Sequence, residues 1–129
     1  MKESGYQGGI RFIKMAEPPT AVFATNDYMD LGVCQAVIEG GLRVPEDIAV
    51  VGFNDIEFTA MKGIELTTIG QKKYEMGALS VEILVEKVEG KKTGPAKEVV
   101  LRPELIIRKT CGFHLRGYQR EDSGQRIER

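Results

Sequence analysis

Tryptophan is absent, histidine occurs once, cysteine twice, and no apolar stretch comes near the roughly 20 residues needed to span a bilayer. Each shortage removes a class of function. Cys34 and Cys111 lie far apart and form no C-x-x-C, while His114 has no partner at ligand spacing, so neither a metal site nor a disulfide framework is indicated. We expect no metal and no cofactor, with Cys34 reduced and buried as a small apolar side chain. Charge of one sign is also lacking. Eighteen basic residues against 19 acidic ones leave a net charge of -1, so no global field draws the chain to nucleic acid or to an anionic membrane. The start, MKESGYQGG, carries no apolar segment behind its lysine, and the expected compartment is the cytoplasm.

What is present is the balance of a globular domain: 129 residues, 42% hydrophobic and 29% charged, enough for one modest core. Ser4 is a candidate cap for a first helix to about Met15, with Tyr6, Ile10, Ile13 and Lys14 at helical spacing, before Pro18-Pro19 turns the chain. Ala21 to Thr25 (AVFAT) reads as a short strand covered on both faces, as in a parallel sheet. A helix follows Asn26-Asp27, with Leu31, Cys34, Val37 and Ile38 as its core face, and stops at Gly40-Gly41. After the turn at Pro45-Glu46-Asp47, IAVVGF supplies a second buried strand, which completes a βαβ unit with a right-handed crossover.

Further on, an irregular stretch runs to Gly63, and LTTI, Leu66 to Ile69, favours a third strand. Tyr74 to Val88 reads as a long helix offering Met76, Leu79, Ile83 and Val88 to the core. Val99 to Leu101 and Leu105 to Ile107 look like two late strands around Arg102-Pro103-Glu104. The composition places one α/β domain over 1–112. Residues 113–129 are charged and poor in aliphatics, which predicts a disordered tail.

Both early strands end in an Asn-Asp pair, Asn26-Asp27 and Asn54-Asp55. In an open parallel sheet the carboxyl ends of neighbouring strands edge a common crevice, the usual ligand position. Asn side chains there can both donate to and accept from a polyhydroxylated ligand. They can equally cap the helix or loop that follows, and spacing leaves both readings open, one residue capping while its neighbour faces a ligand. An acid/base pair made of Asp27 and Asp55 is disfavoured, because no nucleophile accompanies them; G-x-G-x-x-G is absent, which disfavours a dinucleotide site.

Three stretches in order, TAVFATNDYMDLGVCQAVIEGGLRVPEDIAVVGFNDIEFTAM, LTTIGQKKYEMGALSVEIL and LRPELIIRKT, resemble the C-terminal part of LacI/GalR-type transcriptional regulators from about Ser4 to Cys111. The resemblance implies a periplasmic-binding-protein-like effector domain of Rossmann-like lobes, incomplete here, that binds a small molecule, often a sugar, and dimerises. It places effector contacts at Asn26 and at Asn54, which stands where the family usually has Asp, with Tyr74 as a cleft-side aromatic. Dimer contacts fall on Leu31, Met61 and Lys62, although Lys62 occupies a position often apolar or aromatic, and Gly63-Ile64-Glu65 lacks the common Pro-Pro before L-T-T. DNA would be bound only through a helix-turn-helix headpiece outside this chain. The chain would supply one wall of the cleft and be unstable as a monomer, or dimerise. A sugar-binding protein of a transporter shares the same fold and is the alternative; an α/β enzyme is the third reading and lacks a nucleophile.

Overall fold

The computed structural model describes residues 1–90, 94–95 and 98–116. It contains α1 (Lys2–Ile13), β1 (Ala21–Phe23), α2 (Asp27–Glu39), β2 (Ala49–Phe53), β3 (Thr67–Gly70), α3 (Lys73–Val88) and β4 (Glu104–Ile106), with 3-10 turns at Glu57–Ala60 and Phe113–Arg116. The four strands form one sheet in the order β1-β2-β3-β4. Strands β1, β2 and β3 are parallel, with Phe23 opposite Val51 and Phe53 opposite Ile69; β4 runs antiparallel to β3. The architecture is mixed α/β with a mostly parallel open sheet.

One face of the sheet carries the core. Val50 and Leu66 point to it and pack with Ile48 and with Val33 and Val37 of α2, all five buried. Burial of such side chains contributes roughly 1.5–3 kcal/mol each. The core face of α2 is therefore Val33, Ala36 and Val37, which keeps only part of the expected stripe: Val37 is buried and Cys34 packs half-buried against the core, whereas Leu31 is half-buried and Ile38 is 62% exposed. The stripe rotated because α1 lies on the same helix. Gly5 and Gly9 of α1 meet Gly32, Val33 and Ala36 of α2 so closely that a Cβ at Gly32 would strike the Lys2 carbonyl and the Tyr6 amide nitrogen.

That approach explains α1 better than a cap does. Ser4 lies inside the helix, whose N-cap position is Met1, and the buried residues of α1 are Gly5 and Gly9 in place of its larger apolar side chains. Three further expectations fail. Strand β1 is an edge strand with Phe23 58% exposed, so it is not covered on both faces. Helix α3 buries none of its residues, and Val88 is 79% exposed. Residues 99–101 form no strand, so β4 is the one late strand among the described residues. Within the expected tail, residues 113–116 form a 3-10 turn; 117–129 lie outside the described residues.

Candidate functional site

Strands β1 and β2 are neighbours, and each carries an Asn-Asp pair that begins three residues past their last mutual pair, Phe23 with Val51. Asn26 and Asn54 therefore stand at the same edge of the sheet, both half-buried. Asn26 is also the N-cap of α2: its backbone is extended (φ -160°), and its Oδ1 accepts from the Met29 amide at 3.1 Å. The capping reading is thus realised at Asn26, and the cap uses one acceptor position of Oδ1 and neither N–H of the side-chain amide.

Asp27, next to it, is fully buried. Its carboxylate accepts from the Thr68 hydroxyl at 2.5 Å and from the Ile56 amide at 2.9 Å, so one side chain joins the segments that follow β1 and β2 to strand β3. Asp30, one turn along α2, is buried as completely, yet neither of its oxygens has a hydrogen-bond partner among the described residues. Burial, and then the neighbouring Asp27 charge, push its pKa up to about 8. Gly52 of β2 makes room for this pair, because a Cβ there would collide with Asp27 Oδ1 and Asp30 Oδ2. Nothing in the spacing of the sequence singled Asp30 out.

The turn at Asn54-Asp55 is the most constrained part of the edge. Both residues have positive φ, 112° and 50°, a region that Asn and Asp enter more readily than other non-glycine residues. The Asp55 carboxylate accepts from Arg108 Nη2 at 2.8 Å and from the Thr59 hydroxyl at 3.0 Å. Burial alone would raise its pKa, but the Arg108 and Thr59 hydrogen bonds and the charges of Arg108 and Lys73 hold it below the ordinary carboxylate value. Arg108 also donates to the Leu66 carbonyl at 2.8 Å, which anchors it to the core. The sequence reading missed Arg108, Thr59 and Thr68, whose roles depend on contacts more than 40 residues away for Arg108 and Thr68.

With Asp27 and Asp55 held in structural hydrogen bonds, the edge is suited to hydrogen bonding by amides and not to proton transfer. Tyr74 is 92% exposed in the first turn of α3 and stands clear of the sheet. Leu31 lines an open hollow of about 440 Å³ with Cys34, Ile38, Val44, Gly63 and Ile64, which brings it close to the loop holding Met61 and Lys62. Burial, followed by the Asp30 charge, pushes the Cys34 thiol up to about 12, so it is no nucleophile. Among the described residues, no group of three or more His, Cys, Asp or Glu is placed to hold a metal ion, and no helix is long and apolar enough to cross a membrane.

Residues 2–111 match the family described as periplasmic binding protein-like domain. The chain is 42% identical over 110 residues to the HTH-type transcriptional repressor PurR of Haemophilus influenzae (strain PittEE), covering 84% of this chain and 33% of that protein. It is 41% identical over 113 residues to PurR of Pasteurella multocida (strain Pm70), covering 88% and 34%. Among solved structures, the Lac repressor bound to ONPG superposes with a TM-score of 0.75 at 36% identity over 84% of this chain and 33% of that one. A LacI family transcriptional regulator from Lactobacillus casei with bound sucrose superposes with a TM-score of 0.72 at 28% identity over 85% and 40%. The chain spans about a third of the length of the curated relatives it matches. It belongs to the periplasmic binding protein-like domain family, the effector-domain family of LacI-type transcriptional regulators.

Proposed function

We propose that this chain is the effector-binding and dimerisation portion of a cytoplasmic, DNA-binding transcriptional repressor, and that its effector is a small polyhydroxylated molecule of the sugar class. The observation that carries this reading is the pair of amides, Asn26 and Asn54, at one edge of adjacent parallel strands. Asn26, its oxygen engaged by the helix cap, offers N–H donors, and Asn54 offers both a donor and an acceptor without charge. Hydroxyl groups satisfy both. Sucrose in the Lactobacillus casei regulator supports a sugar, and Tyr74 adds an exposed aromatic at the head of α3.

The second half of the proposal is a homodimer through the hollow beside Leu31, Met61 and Lys62. Ile38 is 62% exposed in that hollow and Met61, on the loop beside it, is 51% exposed, and a Lac repressor structure that this chain resembles is a dimer on its operator with an anti-inducer. DNA would be met only through a headpiece outside these residues, and no catalytic step is involved. Sedimentation of the complete polypeptide that showed only monomer at micromolar concentration would count against the dimer.

Calorimetric titration of that polypeptide with galactose, glucose, sucrose, adenine and guanine tests the effector. We expect saturable binding of a sugar, weakened about tenfold in Asn54→Gly, the loss of one hydrogen-bonded amide. Glycine keeps the positive φ and removes only the side chain. Binding of a purine and no sugar overturns the sugar class, and equal affinity in Asn54→Gly overturns the role of Asn54.

A further inference from the structure

The Asn54-Asp55 turn is held from two sides. On the sheet side, the Asn54 amide donates to the Ile69 carbonyl at 2.9 Å, the Ile56 amide to Asp27, and the Asp55 carboxylate accepts from Arg108. Those bonds fix the amide groups and one side chain, and they leave the carbonyls of two successive left-handed residues. Both carbonyls converge on one cation: Lys73 Nζ donates to Asn54 O at 2.6 Å and to Asp55 O at 3.2 Å. Lys73 is the first residue of α3, a helix that buries no side chain of its own.

An ammonium that bridges the carbonyls of residues i and i+1 fixes the peptide plane between them. Here that plane sets the direction in which the Asn54 side chain leaves the backbone, since φ of Asn54 and Asp55 are both positive and neither is a glycine. We infer that Lys73 is a positioning residue of the effector site: it locks the left-handed turn at Asn54-Asp55 and thereby orients the Asn54 amide toward the effector. The inference rests on the effector-site reading above and adds to it a cation whose two hydrogen bonds to the turn both go to backbone carbonyls. Lys72, its neighbour, is the natural control, because its ammonium lies 3.9 Å from Glu75 in an exposed pair.

The test compares Lys73→Met, Lys73→Arg and Lys72→Met in the complete polypeptide. Backbone NMR couplings and carbon shifts of Asn54 and Asp55 report φ without any ligand, and affinity is read with whichever compound of the sugar and purine panel binds the unsubstituted protein. We expect Lys73→Met to lose the positive φ signature and about tenfold in affinity, with a thermal midpoint close to that of the unsubstituted protein because the side chain is exposed. Lys73→Arg, which retains cationic donors, restores both, and Lys72→Met changes neither. Unchanged couplings in Lys73→Met overturn the inference, including the case where affinity still falls, which would mean that the ammonium touches the probe directly. Shifted couplings in Lys73→Met together with normal affinity in Asn54→Gly would instead overturn the effector role of Asn54 and leave the turn lock standing.

Discussion

Helices α2 and α3 both begin beside the strand ends that form the candidate site, and both are rich in aliphatic residues, yet their fates differ. Six residues of α2 are buried and none of α3. The difference does not come from apolar content. Helix α2 has a partner built to its shape, since the glycines of α1 let two backbones close together and β2 supplies Val50 and Gly52 beneath. Helix α3 has no such neighbour among the described residues, and Tyr74, Val81, Leu84 and Val88 are left to solvent. Amphipathic pattern proposes a buried face, and only a complementary surface makes it one.

The sharpest way to break the comparison is to take the partner from α2. Gly32→Leu drives a branched side chain into the Lys2 carbonyl and the Tyr6 amide, backbone that cannot step aside. We expect a loss of about 4 kcal/mol or more, seen as a collapse of the thermal unfolding transition. A variant that melts normally would mean the two helices are farther apart in solution.

A smaller effect of opposite sign lies at Asp30 on the same helix. The folded protein holds its proton to about pH 8, whereas an unfolded Asp releases it near the ordinary 3.8. Between those values the folded state binds more protons, so stability falls as pH rises through that window and levels off above about 8, at up to about 1.4 kcal/mol per pH unit. Asp30→Asn carries no such slope. It should be more stable at neutral pH by on the order of 2–3 kcal/mol, and the gain should be larger at pH 9 than at pH 5. Parallel stability curves for the two proteins from pH 5 to 9 would show that Asp30 does not bury a proton.

The smallest effect belongs to α3. Replacing Val81 and Leu84, 60% and 61% exposed, by serine should change the unfolding free energy of residues 1–129 by no more than about 0.5 kcal/mol in denaturant titration. A loss well above that would place a partner against this face and erase the contrast with α2.

Local signals in the sequence carried most of the element list. The β-branched and apolar runs in AVF, AVVGF and TTI became β1, β2 and β3, and Asn26 became the cap its chemistry favours. Strand-end position alone was enough to bring Asn26 and Asn54 to one edge. What stayed hidden depends on partners distant in sequence. Gly5 and Gly9 look like helix breakers until Gly32 and Ala36 lie against them, and Asp30 looks like a solvent residue until two carboxylates are seen behind Gly52. Arg108 and Lys73 are unremarkable cations in sequence and become clamps because β4 and α3 carry them to the Asp55 turn. Val99 to Leu101 had strand composition but pair with no strand of the sheet among the described residues.

Asp27 has one more consequence. By tying the Ile56 amide and the Thr68 hydroxyl to a carboxylate with no exposure, it couples the loop after β2 to the deepest part of the domain. That loop cannot fray ahead of the rest: to come free it must abandon a buried charge, a step that belongs to global rather than local opening. The candidate edge therefore unfolds together with the sheet, and a ligand bound there, as proposed, would meet a surface already in its final shape.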